Sequence, residues 1–260
     1  ALMKGTSLAF ISDVFMEARP SGAPMGMPAQ YNPIDTGLEK LLNHYGIQIK
    51  KAYVMDKQAY VHRNAPNQGP REQIFYFAPH IKKDAINQRP AFMNNIKELV
   101  AMQIAPVELV EANVDPGRVT ATRLLSSSAE SWLMEETINL NPMYIHPPSE
   151  SEKMQSYDLA FLLEGEFTSY FKDRPLPKKE MEQTEIDDRD QHFQGVSAQN
   201  TIIETSKPAR IFVLPSSQMI QDNMLDPQGR TTNTTFILNA MDHLNGKDTI
   251  AQLRSKQQQY

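Results

Sequence analysis

The 260-residue chain contains no cysteine. A disulfide, a thiolate metal site and a cysteine nucleophile are therefore excluded within it. The compartment stays open, because a chain without cysteine suits oxidising and reducing surroundings alike. No apolar run approaches the roughly 20 residues that a membrane-spanning helix needs, and no secretory leader is recognisable at the start. Neither G-x-x-x-x-G-K-[ST] nor G-x-G-x-x-G occurs, so a glycine-rich phosphate loop is missing. There is no G-x-S-x-G elbow, no H-E-x-x-H, and no two histidines at i and i+4. Acidic residues outnumber Lys and Arg by 31 to 26. No basic cluster stands without acids beside it, which argues against nucleic acid as a partner.

What is present is ordinary for a globular protein. Apolar residues make up 40% and charged residues 22%, enough to bury one sizeable core or two small ones. The most informative stretch is 208–246. Residues 210–214 (RIFVL) are a short run of β-formers stopped by Pro215, which predicts a buried strand. Ser216 and Ser217 follow at its end. Phe236, Ile237, Ala240, Met241 and Leu244 then recur at helical spacing up to Gly246, a residue suited to a helix stop. Residues 7–11 (SLAFI) predict another strand ending at Ser12 and Asp13. Residues 34–46 predict the clearest helix, capped by Asp35 or Thr36 and burying Leu38, Leu41, Leu42 and Tyr45.

Further along, residues 47–55 alternate as a half-exposed strand should. Residues 19–30 and 59–73 read as loops, 73–78 as an aromatic strand, 92–102 as a short helix, and 107–112 and 119–125 as strands around an Asp-Pro-Gly turn. Residues 129–136 read as one or two helical turns. The run 159–163 (LAFLL) has the continuous apolarity of a central strand. Residues 173–199 are charged and aperiodic, an exposed excursion. Residues 249–256 begin one more helix. These elements predict a layered α/β fold with a mixed, mostly parallel sheet, helices on both faces and some antiparallel strands. They form one domain over 1–246, with 247–260 as a cut-off segment. The abrupt start on a strand suggests an excised piece of a longer polypeptide.

Four segments taken together carry a family resemblance: the start LMKGTSLAFISDVF, DTGLEKLLNHYGIQIKKAYVMD at 35–56, LAFLLEGEFTSYF at 159–171, and 209–256 with its LRSK ending. In that order they resemble the extracytoplasmic auxiliary component of gliding-motility-type ABC transport systems. The resemblance implies a flavodoxin- or amidotransferase-like α/β domain, related to one in an intraflagellar transport protein. It also implies anchoring by transmembrane helices near both ends of the full polypeptide, with the soluble part on the periplasmic side of the inner membrane. ABC permease and ATPase subunits would be its partners, with a small ligand or a second auxiliary protein as further candidates. This chain would be the later part of the soluble region, and 247–260 would lead towards an anchor.

No cofactor and no metal are expected. An amidotransferase would need the missing cysteine. In open α/β sheets ligands gather at the carboxyl ends of strands, which makes Ser12, Asp13, Ser126, Ser128, Ser216, Ser217 and Asp222 the ligand-contact candidates. Their plainer role is to satisfy backbone groups at strand ends. Asp187, Asp188 and Asp190 lack the completion of a calcium loop, and Met16, Met25 and Met27 either pack internally or form an adaptable surface. The expected function is a non-catalytic accessory domain binding a partner protein or ligand. The alternatives are a sugar- or peptide-binding module with Trp132 or Tyr170 on its wall, and a serine hydrolase, which requires one of these serines beside a histidine.

Overall fold

The structure, a computed structural model, describes residues 1–18, 29–65, 72–149, 153–175 and 202–257. The methionine pair 25 and 27, and the acids at 187, 188 and 190, lie outside the described residues. In chain order the first elements are β1 (Leu8–Ile11), β2 (Phe15–Ala18), β3 (Gln30–Pro33), α1 (Leu38–His44), β4 (Ile47–Ile49) and β5 (Tyr53–Asp56). There follow β6 (Ala59–Arg63), β7 (Glu72–Lys82), β8 (Glu98–Val100), β9 (Val107–Leu109) and β10 (Val119–Ser126). The last are β11 (Ser131–Met134), β12 (Asp158–Gly165), β13 (Ala209–Leu214), α2 (Thr232–Leu244) and α3 (Asp248–Gln257).

A four-stranded sheet in the order β1-β13-β12-β10 lies at the centre. One of its faces carries Leu162, Phe212 and Leu214, which pack with Phe236, Ile237 and Ala240 of α2. The other carries Phe161, Leu163, Ile211 and Val213, which pack with Leu42 and Tyr45 of the α1 region, Ile47 of β4 and Val107 of β9. A third core, around Phe15, Tyr53, Met55 and Phe77, lies among the smaller sheets β2-β3, β5-β11 and β6-β7-β8.

The expected mostly parallel, flavodoxin- or amidotransferase-like α/β sheet is thereby corrected. Strand exceeds helix by 33% to 21%, and the strands are divided among five sheets. Among the described residues only β1 and β13 pair in parallel, with Leu8 opposite Ile211; β12 is antiparallel to both of its neighbours. The LAFLL run is apolar because both faces of β12 are covered. Coverage dictates composition whichever way the neighbouring strands run.

Local expectations fared unevenly. Strands β1, β10, β12 and β13 and helix α2 lie where the apolar runs put them, and α3 packs on α2 through Arg254, which donates to Asn239 Oδ1 at 2.5 Å and pairs with Asp242 at 2.7 Å. Helix α1 is shorter than predicted. Thr36 Oγ1 accepts from Leu38 N at 3.1 Å and Glu39 accepts from Thr36 N at 3.2 Å, a reciprocal cap. Leu38, expected inside, is exposed. Residues 47–55 are two strands, since a turn at Lys50–Ala52 sends β4 to β9 and β5 to β11; β5 is wholly buried rather than half-exposed. Pairing also overrides local helical pattern elsewhere. Residues 92–102 give a 3-10 turn at Ala91–Met93 and then β8, and 129–136 give β11, held to β5 with Trp132 opposite Met55.

Candidate functional site

Strands β13 and β10 are both antiparallel to β12, so they run the same way, and β1 runs with them. Three carboxyl ends therefore reach one edge of the sheet. The parallel pair brings Ser12–Asp13 against Ser216–Ser217. Ser217 donates its N–H to Asp13 Oδ1 at 2.7 Å and its hydroxyl to Asp13 Oδ2. Ser216 is fully buried and donates its hydroxyl to the carbonyl of Met102 at 2.5 Å. Beside them Ser12 and Asp13 line a cavity of about 20 Å³, room for a water molecule. Ser126 and Ser128 lie beyond β12. Ser126 donates to Ala85 O at 3.4 Å. Ser128 donates its N–H and hydroxyl to Asp56 at 2.8 and 2.6 Å. Asp222 is exposed. The structure thus joins Ser12, Asp13, Ser216 and Ser217 and leaves the other three candidates apart.

Asp56 was not singled out from the sequence. It is 1% exposed and also accepts the N–H of Gln58 at 2.8 Å. Three donors on one buried carboxylate satisfy its charge without a cation. The only hint in the sequence is an acid directly after three apolar strand residues.

The imidazoles are engaged elsewhere. His44 meets the carbonyl of Thr168 at 3.0 Å and His80 meets Glu98 at 3.0 Å. Among the described residues no histidine is hydrogen-bonded to a serine of these clusters, which is the contact a serine hydrolase needs. Nor do the described residues contain a group of three or more side chains able to hold a metal ion. Trp132 packs against Tyr76 at 5.5 Å, while Tyr170 carries the Arg174 guanidinium at 4.2 Å.

The most charged constellation is one that sequence reasoning missed. Glu164 on β12 accepts from Arg210 Nε at 2.9 Å and faces His243 Nε2 at 3.0 Å, and His243 Nδ1 faces Asp248 at 2.5 Å. His243 stacks on Phe92 with centroids 4.6 Å apart. Burial opposes charge on His243, but the carboxylates of Glu164 and Asp248 outweigh it and hold its pKa above the ordinary histidine value. Glu164 is held below the usual carboxylate range, first by His243 and then by Arg210. The cluster joins β12, β13, α2 and α3, and its partners are 79 and 33 positions apart in sequence.

A groove of about 1230 Å³ runs along β10, walled by Thr120, Thr122 and Arg123 on one side and by Glu108, Asp158 and Phe161 around it. A second, about 430 Å³, lies between α1 and the segment after β12, with Lys40, His44, Asp115 and Arg174 on its wall.

A family model described as an ABC-type uncharacterized transport system matches residues 1–240. The chain belongs to that family. The match takes in all four strands of the central sheet, the strand-end edge and the groove, and it stops inside α2. No curated protein and no solved structure matches the chain. In this member of the ABC-type transport family, no described helix is long and apolar enough to cross a membrane.

Proposed function

We propose that the chain is a non-catalytic accessory domain of an ABC-type transport system of the gliding-motility kind. It works on the extracytoplasmic face of the inner membrane and is anchored by segments outside these residues. Its partners are the permease and ATPase subunits of that system, and it uses neither nucleic acid nor a cofactor. The family match over 1–240 carries this reading. The serine hydroxyls at the strand ends support it, because they bond carbonyls and carboxylates of the fold rather than an imidazole.

The test is co-purification. The membrane-anchored full-length protein is extracted in mild detergent, and the proteins that accompany it are identified by mass spectrometry. Recovery of permease and ATPase supports the accessory role. Recovery of neither, with a small molecule retained on the soluble domain, transfers the function to ligand binding. One observation supports that second reading: the parallel pair β1 and β13 brings Ser12–Asp13 against Ser216–Ser217, and Ser12 and Asp13 line a small cavity there. Loss of a retained ligand on Ser12→Ala would place it there.

A further inference from the structure

Among the described residues, the outer edge of β10 has no strand neighbour over half its length. Glu166 donates its N–H to the carbonyl of Arg118, so Arg118 faces β12. Alternation along an antiparallel strand then turns Thr120 and Thr122 to β12 and Val119, Ala121 and Arg123 outward. The carbonyl of Arg123 agrees, since it accepts from outside, from Asn87 Nδ2 at 2.7 Å. One step further the N–H of Asn87 reaches the carbonyl of Leu124 at 2.9 Å, and Ile86 bridges Leu125 antiparallel. Residues 86–87 thus begin a fifth strand and abandon it. The carbonyl of Val119, both groups of Ala121 and the N–H of Arg123 have no hydrogen-bond partner among the described residues. Ala121 and Arg123 line the 1230 Å³ groove, and Val119 lines the 430 Å³ opening.

The groove has more acid than base to spare. Glu108 is paired with Lys50, Asp158 with Arg123, and Glu164 with Arg210 and His243. Asp84 and Glu111 also line it and have no ion pair among the described residues, against one such guanidinium, Arg89. A second copy of β10 would bring the same acid excess against this edge. We propose that the occupant is an extended, Lys- or Arg-bearing segment of a partner polypeptide, which pairs antiparallel with Val119–Arg123 and continues the ladder that residues 86–87 begin. Backbone hydrogen bonds would hold it, and Asp84 and Glu111 would select its charge. This inference rests on the accessory reading and names how a partner is gripped.

The test uses two capped peptides of alternating Val and Thr, one ended by Lys and one by Glu, with amide hydrogen exchange followed by NMR on the whole chain. In the free chain the amides of Ala121 and Arg123 should exchange at least tenfold faster than those of Thr120 and Thr122. The Lys-ended peptide should slow them at least tenfold and bind at least fivefold more tightly than its Glu-ended twin. Ala121→Pro should abolish binding, and so should N-methylation of the peptide's pairing amides, which leaves the chain unaltered. Edge amides already protected in the free chain overturn the proposal. So does binding insensitive to N-methylation, or a preference for the Glu-ended peptide. A dimer in sedimentation that Ala121→Pro dissolves would make a second copy the occupant and also overturn it. In co-purification, transporter subunits recovered equally with Ala121→Pro sink the edge alone. Their absence with the unaltered chain sinks the accessory reading, while the peptide result still decides whether the edge binds.

Discussion

The two ends of the central sheet are closed by different chemistry. At the carboxyl end, acids close the junctions: Asp13 takes two donors from Ser217, and Asp56 takes two from Ser128 and one from Gln58. At the opposite end, close backbone approach does the work. Gly165, at φ 145°, ends β12 where a Cβ would stand 1.9 Å from the carbonyl oxygen of Arg118, and Gly5, at φ 90°, lets the chain enter β1 beside Lys207. Ser206 adds a hydrogen bond from Phe167 N at 2.8 Å. One end therefore depends on acceptor oxygens and the other on missing side chains. Substitutions should separate them.

The largest effect should come at the glycine end. Gly165→Ala adds a clash with fixed backbone to an unfavourable φ, and should destabilise by about 4 kcal/mol in urea unfolding. A loss below 1 kcal/mol would mean that β10 and β12 part easily there. At the acid end Asp56→Ala strands three donors and should cost about 3 kcal/mol. Asp56→Asn retains one acceptor oxygen and should cost about half as much; equal losses would show that charge rather than acceptor geometry matters. Ser216→Ala leaves the part-buried carbonyl of Met102 without this donor and should cost about 1 kcal/mol by the same measurement.

The smallest effect is a matter of pH and belongs to the cluster at the glycine end. His243 has a raised pKa, so its contribution is complete below the unfolded value of 6.5 and is lost as pH rises through the folded one. Glu164 has a lowered pKa, so its contribution is present above the unfolded value of 4.5 and is lost as pH falls through the folded one. The margin in Tm of the unaltered chain over His243→Gln should peak between those limits and shrink on the alkaline side. A margin flat from pH 5 to 9 would show that the imidazole only packs on Phe92.

Burial was legible where apolar residues run together or recur at helical spacing, though not at Leu38 or β5, and pairing was not legible. The apolar runs of β1, β12 and β13, the spacing of Phe236, Ile237 and Ala240, and the Asp-Pro-Gly turn before β10 all report local burial or turn chemistry, and each stands where it was read. Strand direction leaves no trace in composition, which is why the LAFLL run suggested a parallel sheet. Short segments such as SWLM at β11 and ELV at β8 take their conformation from strands far off in sequence. The same holds for the site. Ser216, Ser217 and Ser128 do stand at strand ends, but the groups that hold them (Met102, Asp13 and Asp56) are 114, 204 and 72 positions away. The open edge of β10 was invisible for a simpler reason, since an unpaired N–H has no letter.

Leu8 sits opposite Ile211, and this register imposes an order of events. During synthesis β1 emerges first and its only described strand neighbour emerges about two hundred residues later. At about 5–20 residues per second the first strand waits ten seconds or more for its partner. The central sheet cannot zip up from its beginning. It must close like a clasp, when β13 returns to β1.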